Sequence, residues 1–223
     1  MAGERRKFTH EGEGRRREAL IAAALDLVAA GGPGAATVRA IAARAEVSQG
    51  LIRHYFKTKE DLTRAAYDAL MTKMTEDNLA VLKAAPAQPE ARLAAFIAAS
   101  LRAPVVDGRA MGLWAGFMTE VRGDPAMRAV HEATYMRYRN LVEALITALP
   151  GPNDPARVRR LAIACTALLD GLWLEGCALP DRFASDELAQ IGVSAVGAIL
   201  GCDLEQHLLP PTPLPSEPEM MIA

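Results

Sequence analysis

Aromatic residues are scarce in this sequence of 223 residues, at 5% of the chain, and runs of Val, Ile, Thr and Tyr that would indicate β-strands are missing. Alanine and leucine recur instead along the whole chain. Alanine loses no side-chain entropy in a helix and leucine loses little, so this composition favours helices. With 51% apolar and 23% charged residues, wholesale disorder is excluded and an all-α globular fold is predicted.

The N-terminal 18 residues contain no apolar stretch, so a secretory signal peptide is not predicted. The most apolar segment, 161–179, approaches the length of a membrane span, but it contains Asp170 and Glu175. A carboxylate at membrane depth costs about 3 kcal/mol, so we expect a helix buried in protein. Cysteines number three, and an odd count without an export signal argues against structural disulfides and favours a cytoplasmic protein.

Positive charge is concentrated at one end of the chain. Residues 1–60 hold 11 Lys and Arg against 7 Asp and Glu, whereas residues 61–223 hold 14 against 20. The net charges of the two parts are therefore +4 and −6. A basic N-terminal quarter on an acidic body predicts a polyanionic partner at that end only.

Proline and glycine clusters divide the chain into nine predicted helices, a compact trio followed by a larger bundle. We predict a flexible N-terminal arm at 1–14, a three-helix domain at 15–60 and a larger helical domain at 61–202. The segment 203–223 contains five prolines and is predicted to be a disordered tail.

The segment 37–59 predicts two short helices joined by a tight turn, with Thr37 and Ser48 at the N-cap positions. Such helices are too small to bury their own apolar faces and must pack on the preceding helix. The other face of the second helix then stays free, and it carries Gln49, Arg53 and His54. A helix of this kind fits the major groove of B-DNA.

The residue types on this face suit DNA. Arginine pairs with guanine and glutamine with adenine, while Gly50 allows close approach to the DNA backbone. Thr37, Tyr55 and Lys59 could donate to phosphates on the flanks. The same spacing also occurs in helical hairpins that do not touch DNA, where Arg53 and Lys59 would only be solvated, so spacing and caps alone leave both interpretations open.

The same segment resembles the signature of TetR-family regulators. The matching positions are Thr37-x3-Ile41-Ala42, Val47-Ser48-x-Gly50 and His54-Tyr55-Phe56-x-x-Lys59-x-x-Leu62. The similarity runs from about Arg16 to Leu70. It implies a three-helix DNA-binding domain at 15–60, a ligand-binding and dimerising helical domain at 61–202, and repression of a nearby promoter.

The resemblance also implies roles for individual residues. Six of them would lie against the DNA, namely Arg39, Gln49, Gly50, Leu51, Arg53 and His54. Tyr55 and Lys59 would hold phosphates, and Ser48 would cap the recognition helix. One departure is Glu46, because such sequences usually have Gly before the Val-Ser pair. If the turn needs a positive φ, Glu46 is strained by about 1 kcal/mol.

Three later segments, 112–121, 135–145 and 168–176, resemble one branch of the family, the choline-responsive BetI regulators of glycine-betaine synthesis. A quaternary ammonium ligand is bound by aromatic rings together with a carboxylate. The candidate rings are Trp114, Phe117, Tyr138 and Trp173, and the candidate carboxylates are Glu120 and Asp170. A second interpretation places these rings in the core and pairs Asp170 across a dimer interface.

Dimerisation has support from the sequence itself. The helices predicted at 155–179 and 185–200 are apolar on most faces, which a monomer of this size would struggle to cover. Two-fold symmetry would then require a palindromic operator. We therefore predict a homodimer that binds a double-stranded DNA operator and a small-molecule effector, with no membrane partner.

An enzyme is the main competing interpretation from another class of protein. The four histidines are scattered without metal-ligand spacing, and neither a phosphate-binding loop nor a nucleophile motif is present in the sequence. We predict no catalytic activity, no cofactor and no metal. Two further interpretations stay open at this point, a TetR-type regulator with an unrelated hydrophobic inducer and a helical adaptor that binds protein.

Overall fold

The computed structural model describes the backbone of residues 2–151 and 154–210 and the side chains from Glu13 onward in the same ranges. Within these ranges the chain forms nine α-helices and no strand, which confirms the all-α prediction. The helices are α1 Ala2–Gly31, α2 Val38–Arg44, α3 Gln49–Tyr55, α4 Lys59–Ala80, α5 Pro89–Ser100, α6 Gly108–Gly123, α7 Pro125–Thr147, α8 Pro155–Ala178 and α9 Glu187–Leu200.

Local signals in the sequence account for where the later helices begin and end. Helices α5, α7 and α8 each begin at a proline, whose fixed φ suits the first helical position and whose missing N–H has no partner there anyway. The Asp107 carboxylate accepts from the Ala110 amide at 3.1 Å at the start of α6. Helix α9 ends at Leu200 and is followed by Gly201, which adopts a left-handed conformation with φ 73°.

The helical contacts divide the chain into two compact units. The first comprises residues up to Asp77 together with Asp107–Leu141, and the second comprises Asn78–Val106 together with the chain from Val142 onward. This division differs from the predicted boundary at residue 60. The physical reason is that the three N-terminal helices share their apolar core with α4, α6 and the first part of α7.

The core of the first unit forms around α1. Leu20 and Ala24 are buried with Ile41 of α2 and Ile52 of α3, so the two short helices pack on the preceding helix as predicted. Later helices contribute the rest of this core, and their buried members are Leu62, Ala66, Tyr67, Leu70, Leu113, Phe117, Val121 and Met127. Burial of these side chains from six helices makes the N-terminal trio part of a larger folding unit.

In the second unit, α5, α8 and α9 pack against one another. Two glycines allow the close approach of these helices, because a Cβ at Gly176 would overlap Leu188 and a Cβ at Gly192 would overlap Leu101. A largely buried ion pair joins Arg102, after α5, to Asp186, before α9, through two hydrogen bonds of 2.5 and 2.6 Å. Charge-assisted bonds of this bidentate kind fix geometry as well as adding stability.

The ends of the chain differ from the sequence prediction. Helix α1 begins at Ala2, inside the segment 1–14 that was expected to be a flexible arm, because extending an existing helix costs far less than nucleating one. At the other end, Leu204 is buried and the Leu209 carbonyl accepts from Arg102 at 2.9 Å. Residues 203–210 therefore pack on the second unit, and 211–223 lie outside the described residues.

Helix α8 is long and apolar enough to cross a membrane by length and mean hydropathy alone. In the fold one of its faces is buried, with Val158, Ala162 and Leu169 in the core. Asp170 and Glu175 lie on the exposed side of the same helix. The alternation of buried and exposed positions is that of a helix packed on a protein core.

The turn between α2 and α3 contains the strained residue that the sequence indicated. Glu46 has a φ of 54°, which lies in the left-handed region that glycine adopts without a steric penalty. The turn is closed by the Val47 amide, which donates to the Ala42 carbonyl at 2.9 Å. The turn does adopt a positive φ at this position, so the condition under which Glu46 was expected to be strained is met.

We expect Glu46→Gly to raise the free energy of unfolding by up to about 1 kcal/mol. Removal of the Cβ relieves about 1–2 kcal/mol of left-handed strain, and the greater freedom of glycine in the unfolded chain offsets part of this gain. Urea unfolding of the wild type and the variant measures the difference. Glu46→Ala is the matched control, because it removes the carboxylate and keeps the Cβ. Equal stabilities of the Gly and Ala variants would contradict the assignment of strain.

Candidate functional site

Side-chain caps position the two short helices α2 and α3. The Thr37 hydroxyl accepts from the Ala40 amide at 3.1 Å, and the Ser48 hydroxyl accepts from the Leu51 amide at 3.3 Å. Each bond satisfies one of the amide groups that a helix leaves free at its start. Both N-caps predicted from the sequence are therefore confirmed.

Helix α3 has one buried face and one exposed face. Ile52 and Phe56 are buried, at 2% and 5% exposure, on the side that faces the core of the first unit. The opposite side carries the four exposed residues Gln49, Gly50, Arg53 and His54. A short helix with a free polar face, held by a core on its other side, has the form of a DNA-reading helix.

The other predicted DNA-contacting residues surround this face. Thr37, Arg39 and Ser48 are exposed, and Leu51, Tyr55 and Lys59 are half-buried. The Tyr55 ring lies edge-on to the His54 ring, with centroids 5.1 Å apart. The fold thus places nine of the ten predicted residues on α2, on α3 or at their N-caps, and the tenth, Lys59, at the start of α4.

Gly50 has no close neighbour within the described part of the protein. A Cβ built at this position would meet only the Ser48 hydroxyl, at the ordinary contact distance of 3.7 Å. The glycine also lies inside a helix, where alanine is the better helix former. The fold of this chain therefore gives no reason for glycine at position 50.

A carboxylate on α1 joins three helices of the first unit. Asp26 accepts from Arg44 of α2 at 2.8 Å and from Arg109 of α6 at 2.6 Å. Hydrogen bonds from Arg44 and then Arg109 hold the pKa of Asp26 below its ordinary value. The N-terminal end of α6 is thereby connected through Asp26 to the helix-turn-helix.

A second ionic cluster lies at the other end of α6. Arg64 of α4 pairs with Asp61 at 2.6 Å and with Asp124, which caps the C-terminal end of α6, at 3.3 Å. The hydrogen bond from Arg64 lowers the pKa of Asp61. Because only three residues separate α3 from α4, both ends of α6 are connected to elements next to the recognition helix.

An aromatic cluster fills the first unit between α4, α6 and α7. The Tyr67 hydroxyl lies 2.7 Å from His131 Nδ1, and its ring centroid is 5.1 Å from that of Phe117. The His131 ring stacks on Tyr135, and the Arg139 guanidinium lies 4.9 Å from the centroid of the Tyr135 ring. Burial raises the pKa of Tyr67, so this hydroxyl stays protonated.

The six predicted effector residues are distributed over both units. Trp114, Phe117 and Glu120 on α6 and Tyr138 on α7 belong to the first unit. Phe117 is fully buried, whereas the other three are half-buried. Burial raises the pKa of Glu120, and the positive charge of nearby Lys59 opposes this rise.

The remaining two predicted effector residues lie on α8 in the second unit. Asp170 is exposed. The Trp173 indole donates to the Val105 carbonyl at 2.9 Å, which fixes the orientation of its ring. The structure therefore groups four of the six predicted residues in one unit and places Asp170 and Trp173 in the other.

One polar residue that the sequence analysis missed lies at the start of the second unit. Asn78 is 3% exposed, and its amide oxygen accepts no hydrogen bond within the described part of the chain. A buried amide oxygen without a partner costs about 1–3 kcal/mol, so such groups require an explanation. A single asparagine in a helix gives no sequence signal that would have identified it.

Comparison with known proteins agrees with this architecture. Residues 20–66 match the family described as bacterial regulatory proteins of the TetR family, and residues 89–201 match the C-terminal domain of BetI-type transcriptional repressors. The transcriptional regulator BetI of Paraburkholderia phymatum is 35% identical over 169 residues, which cover 75% of this chain and 84% of the relative.

Solved structures share the fold. A putative transcriptional regulator from Pseudomonas aeruginosa PAO1 has a TM-score of 0.75 at 30% identity, covering 87% of this chain and 94% of that one. A putative regulator from Saccharomonospora viridis, solved in complex with choline, has a TM-score of 0.67 at 20% identity, covering 82% and 96%.

The helix-turn-helix and the helical C-terminal domain define a DNA-binding transcriptional regulator. The chain belongs to the TetR family, and it is BetI-like in its C-terminal domain. The resemblance stated from the sequence is therefore confirmed.

We expect Asp26→Asn to lower the free energy of unfolding at pH 7 by up to about 1 kcal/mol, because exposed ion pairs contribute about 0.2–1 kcal/mol each. The pKa of Asp26 is lower in the folded protein than its ordinary value of 3.8. The ionised carboxylate therefore stabilises the fold at pH values above 3.8, and this stabilisation is lost as the pH falls toward the pKa of the folded state. The difference between the variant and the wild type should therefore shrink between pH 5 and pH 3.

Thermal unfolding across this pH range provides the measurement. Asp68→Asn is the control, because Asp68 is an exposed aspartate of the same unit and forms no ion pair with any described side chain. A loss on Asp26→Asn that is as large at pH 3 as at pH 7 would contradict the ionic role of Asp26.

Proposed function

We propose that the protein represses transcription as a homodimer that binds a palindromic operator and is released by a quaternary ammonium compound such as choline. The observation that carries the DNA-binding part is the exposed face of α3 opposite its buried Ile52. A bacterial transcriptional regulator acts in the cytoplasm, which is the location expected from the sequence.

In this proposal α3 lies in the major groove. Gln49 and Arg53 read base edges through bidentate hydrogen bonds, and Arg39, Leu51 and His54 contact the DNA beside them. Thr37, Tyr55 and Lys59 contact phosphates, while Ser48 holds the start of the helix toward the DNA. The space around Gly50 supports this orientation. No described residue of the chain excludes a side chain at position 50, so a close DNA backbone would supply the reason for glycine there.

The proposed dimer forms through α8 and α9. These helices expose large apolar side chains, among them Leu174 at 45% and Ile191 at 40%. Exposed apolar surface of this kind on a folded chain favours association. A two-fold axis would separate the recognition helices by one turn of DNA, roughly 34–36 Å, and would require a palindromic operator.

The effector proposal rests on the BetI-type match over residues 89–201 and is supported by the choline complex of the structural neighbour from Saccharomonospora viridis. In the first unit, Trp114 and Tyr138 would offer rings and Glu120 a carboxylate, next to the buried ring of Phe117. In the second unit, Asp170 and Trp173 remain candidates on α8. The amide oxygen of Asn78, which accepts no hydrogen bond from any described residue, would accept one from a ligand hydroxyl group.

The ionic clusters at the two ends of α6 offer a route from effector to DNA. A ligand that contacts Trp114 or Glu120 would shift α6, and Asp26 and Asp124 would transmit the shift to α1, α2 and α4. Each helix-turn-helix would then change its position relative to that of its partner. A coupling of about 1–3 kcal/mol weakens DNA binding by roughly 5- to 150-fold.

We expect Gly50→Ala to stabilise the fold and to weaken DNA binding. Alanine should raise the free energy of unfolding by up to about 1 kcal/mol, because it is the better helix former and meets only one ordinary contact here. Its Cβ should lower operator affinity by blocking close approach to the DNA backbone. Urea unfolding and fluorescence anisotropy give the two quantities.

Gly112→Ala is the matched control, because its Cβ would also meet no close neighbour and α6 is away from the proposed DNA contacts. Operator affinity equal to that of the wild type in the Gly50→Ala variant would remove Gly50 from the DNA interface.

The decisive experiment is anisotropy of the protein on a fluorescent duplex from its own upstream region, titrated first with salt and then with choline. We expect tight, salt-dependent binding with two chains per palindrome, weakened by choline. If the protein binds no part of the upstream region more tightly than random DNA, the proposed repressor function is contradicted. Tight binding that choline does not change would retain the repressor and contradict choline as its effector, leaving the inducer to be identified.

A further inference from the structure

The described arginine side chains of the first three helices, from Arg15 onward, fall into two groups. Arg44 pairs with a carboxylate, and Arg17 lies over an aromatic ring. Among the described side chains, no carboxylate forms an ion pair with Arg15, Arg16, Arg39 or Arg53. Arg39 and Arg53 belong to the proposed DNA-contacting set, so the two remaining arginines, on α1, require a separate explanation.

Arg15, Arg16 and Arg17 form one basic turn of α1, and all three are exposed. Arg16 and Arg17 precede the buried Leu20 and Ile21 by four residues, so they lie on the same side of the helix. Arg16 and Arg17 therefore extend, by one turn, the face of α1 that covers the helix-turn-helix, and Arg15 lies beside them in the same exposed turn.

The Arg17 side chain fixes the position of the basic turn relative to the recognition helix. Its guanidinium carbon lies 5.2 Å from the centroid of the Phe56 ring, and Phe56 caps the C-terminal end of α3. The exposed Arg53 and His54 lie in the last turn of α3, within three residues of Phe56. The basic turn thus adjoins the end of the proposed DNA-reading face.

We propose that Arg15 and Arg16 form a second DNA contact, outside the helix-turn-helix, that binds phosphates of the backbone next to the site read by α3. The inference rests on the proposed DNA-binding function and adds a contact that the signature at 37–62 does not contain. Exposed guanidinium groups without a carboxylate partner are suited to phosphate, which they bind in a bidentate manner.

The test compares wild-type protein with the double variant Arg15→Gln/Arg16→Gln. Anisotropy is measured between 50 and 200 mM salt on the upstream duplex and on a random-sequence duplex. Two lost phosphate contacts should reduce the slope of log K against log salt by about 1.8 for each bound chain. Between these salt concentrations the wild type should then lose roughly 12-fold more affinity per chain than the variant, on both duplexes.

Two further variants make the result specific. Arg159→Gln/Arg160→Gln removes the same charge from two adjacent exposed residues of α8. Because α8 belongs to the proposed dimer interface, size-exclusion chromatography checks that this variant still dimerises, and its slope should then equal that of the wild type. Arg15→Lys/Arg16→Lys keeps the charge and should restore most of the slope. Circular dichroism confirms that each variant is folded, and Arg17 is left intact because it packs on Phe56.

A slope for Arg15→Gln/Arg16→Gln equal to that of the wild type or of the α8 variant would overturn the inference. A loss confined to the upstream duplex would also overturn it, because phosphate contacts weaken binding to all sequences alike. Failure of the wild type to bind either duplex would contradict the proposed function itself. This outcome is seen with the wild type alone and is therefore distinct from a failure of the inference, which is seen only in the variant.

Discussion

The need to bury apolar surface on both sides of α1 is the constraint on which the rest of the first unit depends. Helices α2 and α3 have seven residues each, and helices of this length are not stable alone. Their apolar faces are covered by α1, and the same core continues into α4, α6 and α7 through Tyr67, Phe117 and Met127. The exposed face of α3 is therefore held by a core that also contains one effector candidate, Phe117.

Electrostatic interactions divide the basic residues of this unit by role. Arg44, Arg64 and Arg109 pair with Asp26, Asp61 or Asp124 and connect helices to one another. On α1, α2 and α3, by contrast, Arg15, Arg16, Arg39 and Arg53 form no ion pair with a described carboxylate. Each of these surface ion pairs contributes little to the free energy of unfolding. Their main role is therefore to hold α6 in a fixed position relative to the helix-turn-helix.

Much of the candidate DNA site could be predicted because its signals are local. The N-caps at Thr37 and Ser48, the positive φ of Glu46 and the division of α3 into buried and exposed faces each depend on a few consecutive residues. The effector site could not be predicted to the same depth. Trp114 and Trp173 are similar in sequence context, yet they belong to different compact units.

The sequence by itself determined the helical class, the order of the helices, the family and the face of α3 that stays free. These features follow from residue periodicity, capping and a signature within one short segment. Only the tertiary structure decided that α6 and part of α7 share a core with the DNA-binding helices, that Asp26 joins three of them, and that the buried Asn78 has no partner among the described residues. The physical reason is that these features depend on contacts between residues far apart in the chain, which local pattern does not specify.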